Sequence, residues 1–355
     1  MADARRTLTH EREITEPVSL ILPSGRLNPA AVGWTRHPMH DTSGIGRGAT
    51  GRGRNKRWEY WGFTSPDLIV AITVAMLDYA TLSQVWVLDR RTMEEVDASA
   101  ITPLSRGVSL PGSLGVGSAV VRVPGIEVRI EDEVGGGGRG NGGTTGGGGT
   151  RISATTDRVS IDIFAARPEG HEAMGVVVPW SERRFQYTVK DVARPASGRV
   201  TIDGVDHELA AGESWAVLDH GRGRWPYRMK WHWGAASGIE HGRRLGLQLG
   251  GLWTRGTGST ENALSIDGRL HKLGDELDWR YDAADWLAPW SIAGPRVDLE
   301  FTPFHDRYSR SAFVVIHSET HQCFGTYRGT VTADSGEVVA IEELLGWAEY
   351  VTQRW

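Results

Sequence analysis

Apolar and polar residues alternate with a period of two over much of the chain, which is the pattern of half-buried strands. The segments IEVRIEDE, RISATT and RVSIDIFAA follow it in close succession. Before them, LIVAITVAML (residues 68–77) and QVWVLD (residues 84–89) are β-branched or aromatic runs separated by DYATLS, which predicts two strands joined by a turn. The first part of the chain is therefore predicted to consist of strands.

Short strand-like segments continue to the end of the chain, with Asp-Gly, Ser-Gly and Gly-Gly turns among them. They are FQYTVK, GRVTID, SWAVLD, RMKWHWG, RLGLQLGG, NALSIDG, RVDLEFTP, AFVVIHS, CFGTYRGTVTAD and GEVVAIEELLGWAEYV. This spacing predicts an all-β fold with an antiparallel barrel or sandwich in each half. No segment carries a helical stripe longer than about 10 to 12 residues. For IEELLGWAEYV a short helix and a final strand both stay open.

Residues 1–24 are predicted to form an N-terminal arm. A boundary near residue 175, before VVVPW, divides the rest into two β-barrel-like domains, residues 25–174 and 175–355. Segment 134–150 contains GGGGRGNGGTTGGGG, a low-complexity run with nothing to bury, which predicts a flexible loop. A phosphate-binding loop needs a following helix and, for the Walker type, a Gly-Lys-Ser/Thr ending. The sequence has neither here, so nucleotide binding is not predicted.

Length and charge narrow the class of protein. The 355 residues suggest about two domains. A formal charge of −5 and a pI near 6.2 argue against nucleic acid or anionic lipid as partners. No run of about 20 apolar residues is present and the charged start lacks a secretory h-region, so we expect a cytoplasmic protein without membrane insertion. The single Cys323 and the lack of a CxxC pair indicate neither disulfide nor zinc, and no cofactor is expected.

The chain contains 46 Gly and 15 Trp. Glycine at this level indicates many tight turns and bulges between short strands. So many tryptophans indicate either thick aromatic packing or an aromatic-lined cavity, and both interpretations stay open.

Several segments of the sequence are long enough to be specific for a protein family: GRLNPAAVGWTRHPMHD, GRGRNKRWEYWGFTSPDLIVAITVAMLDYA, DHGRGRWPYRMKWHWGAASG, HQCFGTYRG and LLGWAEYVTQRW. Over residues 25–355 they resemble DUF2804, a bacterial family catalogued as a domain of unknown function. That family is similar in turn to the tandem-lipocalin proteins, such as carotenoid 1,2-hydratase, AttH-like proteins and Diels-Alderase-type cyclases. The local support is the Asp219–His220 pair before an aromatic run. The resemblance implies two lipocalin-like (calycin) barrels packed together, although a shared fold transfers no reaction.

The segment RGRNKRWEYW is the densest polar and aromatic cluster of the first half. In an extended strand Arg57, Glu59 and Trp61 face one way, and Trp58 and Tyr60 face the other. A guanidinium beside a carboxylate at a barrel mouth can anchor a substrate carboxylate or carbonyl group. A structural ion pair explains the same two residues equally well.

Three carboxylates and a histidine are candidate proton-transfer groups. Asp78 ends the apolar segment 68–77, where a carboxyl group can act as general acid, although such an Asp more often caps a turn. Asp219 and His220 end a later strand; the imidazole changes charge near neutral pH, so His220 can transfer a proton while Asp219 orients it or acts itself. Glu261 follows GGLWTRGTGST and completes an acid–base pair. A purely structural, hydrogen-bonded role stays open for the histidine.

The segment WPYRMKWHWG places aromatic side chains close in sequence to these candidate proton-transfer groups. Strict alternation places Trp231 and Trp233 on one face of a strand and His232 on the other, so only one of these sets lines a given cavity. Trp225 precedes that strand and joins the predicted binding wall. Glu349, in GWAEY, is open to a purely structural interpretation.

The preferred hypothesis is a protein that binds a largely apolar small molecule in a Trp-lined cavity and catalyses a cofactor-independent acid or base reaction: hydration, isomerisation or cyclisation. The predicted catalytic residues are Tyr60, Asp219, His220, His232 and Glu261, and the predicted substrate-binding residues are Arg57, Trp58, Glu59, Trp61, Asp78, Trp225, Trp231 and Trp233. Two alternatives stay open. One is a non-catalytic carrier of a lipid or other hydrophobic metabolite, and the other is a carbohydrate-active enzyme in which two carboxylates act on a sugar.

Overall fold

The computed structural model describes residues 10–133, 148–313 and 316–354, in which nearly all of the regular secondary structure is β-strand. One 3₁₀ turn, Pro29–Ala31, lies near the start. The strands up to residue 224 are β1 (Val18–Ser19), β2 (Trp34–Thr35), β3 (His40–Asp41), β4 (Asn55–Thr64), β5 (Leu68–Leu77), β6 (Ala80–Asp89), β7 (Glu94–Pro103), β8 (Val108–Ser109), β9 (Ala119–Val123), β10 (Ile126–Glu133), β11 (Gly149–Thr156), β12 (Val159–Ala166), β13 (Met174–Ser181), β14 (Arg184–Ile202) and β15 (Val205–Arg224). Those after it are β16 (Arg228–Glu240), β17 (Arg243–Gly251), β18 (Asn262–Ile266), β19 (Arg269–Leu273), β20 (Asp278–Arg280), β21 (Trp290–Gly294), β22 (Val297–Phe313), β23 (Ile316–Thr332) and β24 (Val338–Arg354).

Two curled antiparallel sheets contain nearly all of these strands. The first has the order β7-β6-β5-β4-β15-β14-β12-β11-β10-β9-β8, with β13 and β2 joined to it through β14. The second has the order β19-β18-β17-β16-β24-β23-β22-β21-β20. The predicted all-β fold with two antiparallel halves is confirmed, and IEELLGWAEYV belongs to strand β24.

The chain changes from the first sheet to the second between Arg224 and Arg228, well after the predicted boundary near residue 175. Strands β13, β14 and β15 all belong to the first sheet, where β15 pairs with β4. Strands β14 and β15 contain 19 and 20 residues and belong to the first sheet. Sequence periodicity gives no signal of which sheet a strand joins.

Both faces of β5 are buried, which explains why its sequence is a continuous apolar run and not an alternating one. Val70 and Ile72 point into the core enclosed by the first sheet. Ile69 and Ala71 point the other way, into a cluster that includes Trp233 of the second sheet. The outer face of the first sheet is therefore packed against the outer face of the second.

The described part of the N-terminal arm is fixed to both sheets. Glu13 forms a β-bridge to Trp34 of the first sheet, and the Glu11 carboxylate lies 2.6 Å from the Lys272 ammonium of the second sheet. Val18–Ser19 pairs with His40–Asp41 in a separate two-stranded sheet. Residues 1–9 of the predicted arm, and residues 134–147 of the predicted Gly-rich loop, lie outside the described residues. In the described part of the chain no helix is long and apolar enough to cross a membrane.

Two long strands bend at glycines where the register shifts by a bulge. In β14 one of two shifts against β15 lies between Ala196 and Gly198, and in β23 the shift against β24 lies between Tyr327 and Gly329. Gly198 has φ +150° and a Cβ there would meet the Asp162 carbonyl of the neighbouring strand. A bulged strand twists more strongly than a regular one, which helps each sheet to curl.

Replacement of Gly198 by Ala is expected to destabilise the protein by roughly 2–4 kcal/mol, because it adds a backbone clash to an unfavourable φ. The free energy of unfolding from urea denaturation measures the effect. Gly212→Ala is the matched control, since Gly212 has φ +89° and open space around its Cβ position. A loss for Gly198→Ala no larger than for Gly212→Ala would contradict the role given to the bulge.

Candidate functional site

Strands β4, β14 and β15 lie side by side at the centre of the first sheet, and alternation sorts their polar residues between its two faces. Asp219 is paired with Tyr60 on one side and with Lys190 on the other, so these three side chains share a face. That face is the one packed against the second sheet, where Tyr60 meets Trp233. Polar groups are thus buried between the two sheets.

An ion pair between Lys190 and Asp219 occupies the middle of this interface. Lys190 Nζ lies 3.0 Å from a carboxylate oxygen of Asp219, and the two side chains are 5% and 12% exposed. Thr188 Oγ1 donates to the other oxygen over 3.1 Å. The ammonium also stands over the Trp233 ring at 4.3 Å. This pair is a fixed positive and negative charge in a region that excludes water.

Glu349 approaches the same interface from β24 of the second sheet. Trp231 Nε1 donates to its Oε1 over 2.8 Å, and Gln322 Nε2 donates to its Oε2 over 3.2 Å. Burial raises the pKa of Glu349 to about 7; the Trp231 hydrogen bond and the charge of Lys190 act in the opposite direction. A carboxyl group with this pKa can give or take a proton near neutral pH.

Glu261 immediately precedes β18 and is 2% exposed. Trp253 Nε1 donates to its Oε2 over 2.7 Å, whereas its buried Oε1 has no hydrogen-bond partner among the residues that the structure describes. Gly250 permits this approach, since a Cβ there would lie 3.0 Å from that of Glu261. Burial raises the pKa of Glu261 to about 7, which Lys190 opposes and Asp219 reinforces.

The hydroxyl group of Tyr60 completes the polar set. Gln322 Nε2 donates to it over 3.2 Å, and Arg307 donates to the amide oxygen of that Gln over 3.0 Å. Burial raises the pKa of Tyr60 well above its ordinary value. The hydroxyl therefore stays protonated near neutral pH. We call Tyr60, Lys190, Asp219, Glu261 and Glu349 the interface cluster.

Aromatic rings flank the interface cluster. The tryptophan cluster consists of Trp58, Trp180, Trp225, Trp231 and Trp253, linked by ring centroid distances of 5.3–5.8 Å. Lys56 lies among three of these rings, 4.2 Å from the centroid of Trp225, and donates to Gln353 over 2.7 Å. Burial lowers the pKa of Lys56 to about 7, against the attraction of Asp219.

His220 lies on the opposite face of β15 from Asp219 and is fully buried in the first sheet's core. Its ring is 3.5 Å from Glu59, which also receives Arg222 at 3.4 Å. Burial lowers the pKa of His220 to about 4. The expectation that Asp219 orients His220 is corrected: neighbours in a strand point to opposite faces. The partner of Glu59 is Arg222 and not Arg57, with which it was paired in the structural alternative expected from the sequence.

The remaining predicted residues are spread over the molecule. His232 faces the second sheet's core, where its Nε2 lies 3.2 Å from the Tyr281 hydroxyl, and burial lowers its pKa to about 4. Trp61 packs on Phe63 in the first sheet's core. Asp78 caps a turn, since it accepts the backbone N–H groups of residues 53–55.

Arg57 is half-buried against Gly46, with its pKa lowered by burial. These residues therefore lie away from the interface cluster.

Seven predicted residues do come together at the interface: Trp58, Tyr60, Asp219, Trp225, Trp231, Trp233 and Glu261. Sequence reasoning missed Lys190, although it sits two residues after Thr188 in an alternating strand. It gave Glu349 no functional role. The sequence feature that could have indicated Glu349 is a single charged residue directly after Trp347 and Ala348, two residues that are fully buried.

The chain belongs to the family described as a domain of unknown function, DUF2804, whose model matches residues 11–355. The resemblance noted in the sequence is thereby confirmed. No curated protein sequence matches the chain.

Several solved structures are distantly similar, among them the following three. Kievitone hydratase from Nectria haematococca has a TM-score of 0.46 at 12% identity, over 88% of this chain and 92% of that one. A putative AttH from Nitrosomonas europaea has a TM-score of 0.45 at 14% identity, over 95% and 98%. CghA has a TM-score of 0.40 at 8% identity, over 85% and 88%. A likeness this distant says nothing about what the chain binds or catalyses.

Replacement of Asp219 by Asn is expected to destabilise the protein by about 3–5 kcal/mol, because the Lys190 ammonium is left buried without its counter-charge. Urea denaturation measures this. The double variant Lys190→Met, Asp219→Asn removes both charges and should recover at least half of the loss.

Asp206→Asn is the matched control, because the Arg199–Asp206 pair is 3.1 Å long but 68% and 55% exposed. It should cost less than about 1 kcal/mol. Equal losses for Asp219→Asn and Asp206→Asn would show that the interface pair is not desolvated.

The pKa of Glu349 predicts a pH dependence of stability. Its folded pKa, about 7, lies above its unfolded value, so the folded state binds the extra proton and stability falls as pH rises from about 4.5 to 7. Glu349→Gln removes this dependence. From pH 5 to pH 8, the free energy of unfolding of Glu349→Gln should therefore rise by on the order of 2 kcal/mol relative to that of wild type. Glu300→Gln, at an exposed residue, is the control. If the free energies of unfolding of Glu349→Gln and wild type differ by the same amount at pH 5 and at pH 8, the raised pKa of Glu349 is refuted.

Proposed function

We propose that this protein binds a largely apolar small molecule between its two sheets and transfers a proton to it, with Glu261 as the acid. The reaction class is hydration, isomerisation or cyclisation. The observation that carries the proposal is the convergence of the interface cluster and the tryptophan cluster on one buried region. Residues from both sheets contribute to it.

Glu261 is suited to the role of acid. One of its oxygens is held by Trp253 Nε1, and the other is buried without a partner among the described residues. A carboxyl group that is protonated near neutral pH can deliver its proton from the free oxygen to an alkene, ether or enol. Its pKa of about 7 divides it between acid and base forms there. The same group can therefore take the proton back.

The other charges stabilise what the proton transfer creates. Protonation of an alkene or ether generates positive charge on carbon, and the Asp219 carboxylate is a fixed negative charge that interacts favourably with it. Lys190 holds that carboxylate in place over 3.0 Å. Indole faces of the tryptophan cluster pack against an apolar substrate and attract a developing cation. Exclusion of water strengthens these interactions and limits side reactions.

A non-catalytic carrier is the second candidate. The observation that favours it is that both oxygens of Glu349 already accept hydrogen bonds, from Trp231 and Gln322. A buried carboxyl group satisfied in this way is stable without any reaction. Under this alternative the tryptophan cluster would hold the hydrophobic ligand, and Glu261 would only orient Trp253.

Glu261→Gln separates the two candidates, because Gln retains the shape and the hydrogen bond to Trp253 but cannot donate an acidic proton. Small molecules that co-purify with wild type and with the variant are extracted and compared, and native mass spectrometry counts those bound. An enzyme should yield substrate in Glu261→Gln and product, or nothing, in wild type.

His220→Asn is the control, because His220 lies on the other face of β15. It should give the wild-type extract. The same unchanged metabolite in all three proteins would overturn proton transfer and leave the carrier.

A further inference from the structure

A surface cavity of about 570 Å³ lies beside the N-terminal loops, away from the interface cluster. Its apolar wall includes Ile21, Leu22 and Pro23, and Arg224 and Arg47 also line it. Arg224 belongs to the face of β15 that also carries His220 and Arg222, opposite to Asp219. The cavity is thus separated from the proposed reaction site by the first sheet.

Arg224 is a buried cation that contacts no carboxylate directly among the residues that the structure describes. It is 2% exposed. Its Nε donates to Asn55 over 3.1 Å and its Nη1 donates to the Gly25 carbonyl. Its Nη2 is buried and has no hydrogen-bond partner among the described residues. Both partners of the guanidinium are neutral, and an unsatisfied buried donor on a charged group is costly.

The surrounding backbone holds this guanidinium in position. Gly51, at φ +73°, packs directly on it, and a Cβ at that residue would collide with the guanidinium. Phe185 lies beneath it, with its ring centroid 5.7 Å from Cζ. The amide of Asn55 in turn donates to Asp78 over 3.0 Å. The negative charge of Asp78 attracts the guanidinium, whereas the positive charge of Arg184 repels it. The charge of Arg224 is therefore only partly offset by the protein.

Two charged residues at the rim define the polarity of the cavity. Arg47 is exposed and adds a second positive charge. Asp41 is also part of the lining and adds a negative one, whose pKa is lowered by the hydrogen bonds from Ser43. An anion beside Arg224 would be attracted by Arg47 and repelled by Asp41. Both effects can be tested at the surface without disturbing the core.

We propose that this cavity is a binding site for a small organic anion, whose carboxylate or phosphate group pairs with Arg224 and whose hydrocarbon part contacts Ile21, Leu22 and Pro23. Charge-assisted hydrogen bonds to a guanidinium are among the strongest that a protein offers to such groups. The volume is that of a small-molecule site. This inference is independent of the function proposed for the interface cluster.

Isothermal titration calorimetry of the full-length protein with hexanoate, hexyl phosphate and hexanol tests the proposal. At least one anion should bind, and neutral hexanol should bind at least about tenfold more weakly. The first two probes distinguish a carboxylate site from a phosphate site. Equal affinity for hexanol, or no binding of either anion at millimolar concentration, would overturn it.

Surface variants locate the binding. Arg47→Ala should weaken the anion at least about threefold, and Asp41→Asn should strengthen it by a similar factor, since each changes one charge at the rim. Arg224→Gln should abolish binding; circular dichroism shows whether that variant is folded. If it is not, Arg47→Ala and Asp41→Asn decide. Unchanged affinity in both of those would place the anion elsewhere and refute the site.

Discussion

Burial of the outer face of one sheet against the outer face of another is the constraint on which the rest of this structure depends. Each curled sheet encloses an apolar core of its own, and a third cluster joins them back to back. Because the central parts of strands β4, β5, β14 and β15 are then covered on both sides, a polar group buried there is costly without a partner, and burial raises the pKa of a carboxyl group. The Lys190–Asp219 pair and the raised pKa values of Glu261 and Glu349 are both results of this packing.

Because side chains alternate between the two faces of a strand, polar residues that are adjacent in the sequence lie in separate environments. Glu59, His220 and Arg222 meet inside the first sheet, where their charges are balanced locally. Tyr60 and Asp219, their immediate neighbours in sequence, lie on the outer face. A pair of adjacent residues that looks like a catalytic dyad in the sequence is therefore split by about the full thickness of a strand.

The two regions of interest differ in how their buried charges are compensated. At the interface, Asp219 is paired with Lys190 and both oxygens of Glu349 accept hydrogen bonds, whereas Glu261 accepts one, from Trp253, among the described residues. Beside the N-terminal loops, Arg224 has only neutral direct partners and an unused donor. The first arrangement is the basis of the proposed proton transfer, and the second is the basis of the proposed anion site.

The sequence by itself determined the all-β class, the strand at residues 68–77 and the face that each residue of Arg57–Trp61 and Trp231–Trp233 takes, because a period of two is a local property of extended backbone. The sequence also identified the family to which the chain belongs. Only the tertiary structure decided that the sheets change after Arg224, that Asp219 is paired with Lys190, and that Glu349 reaches the same interface from β24. Those facts depend on which strands become neighbours across hundreds of residues, and no local pattern of the chain encodes that choice.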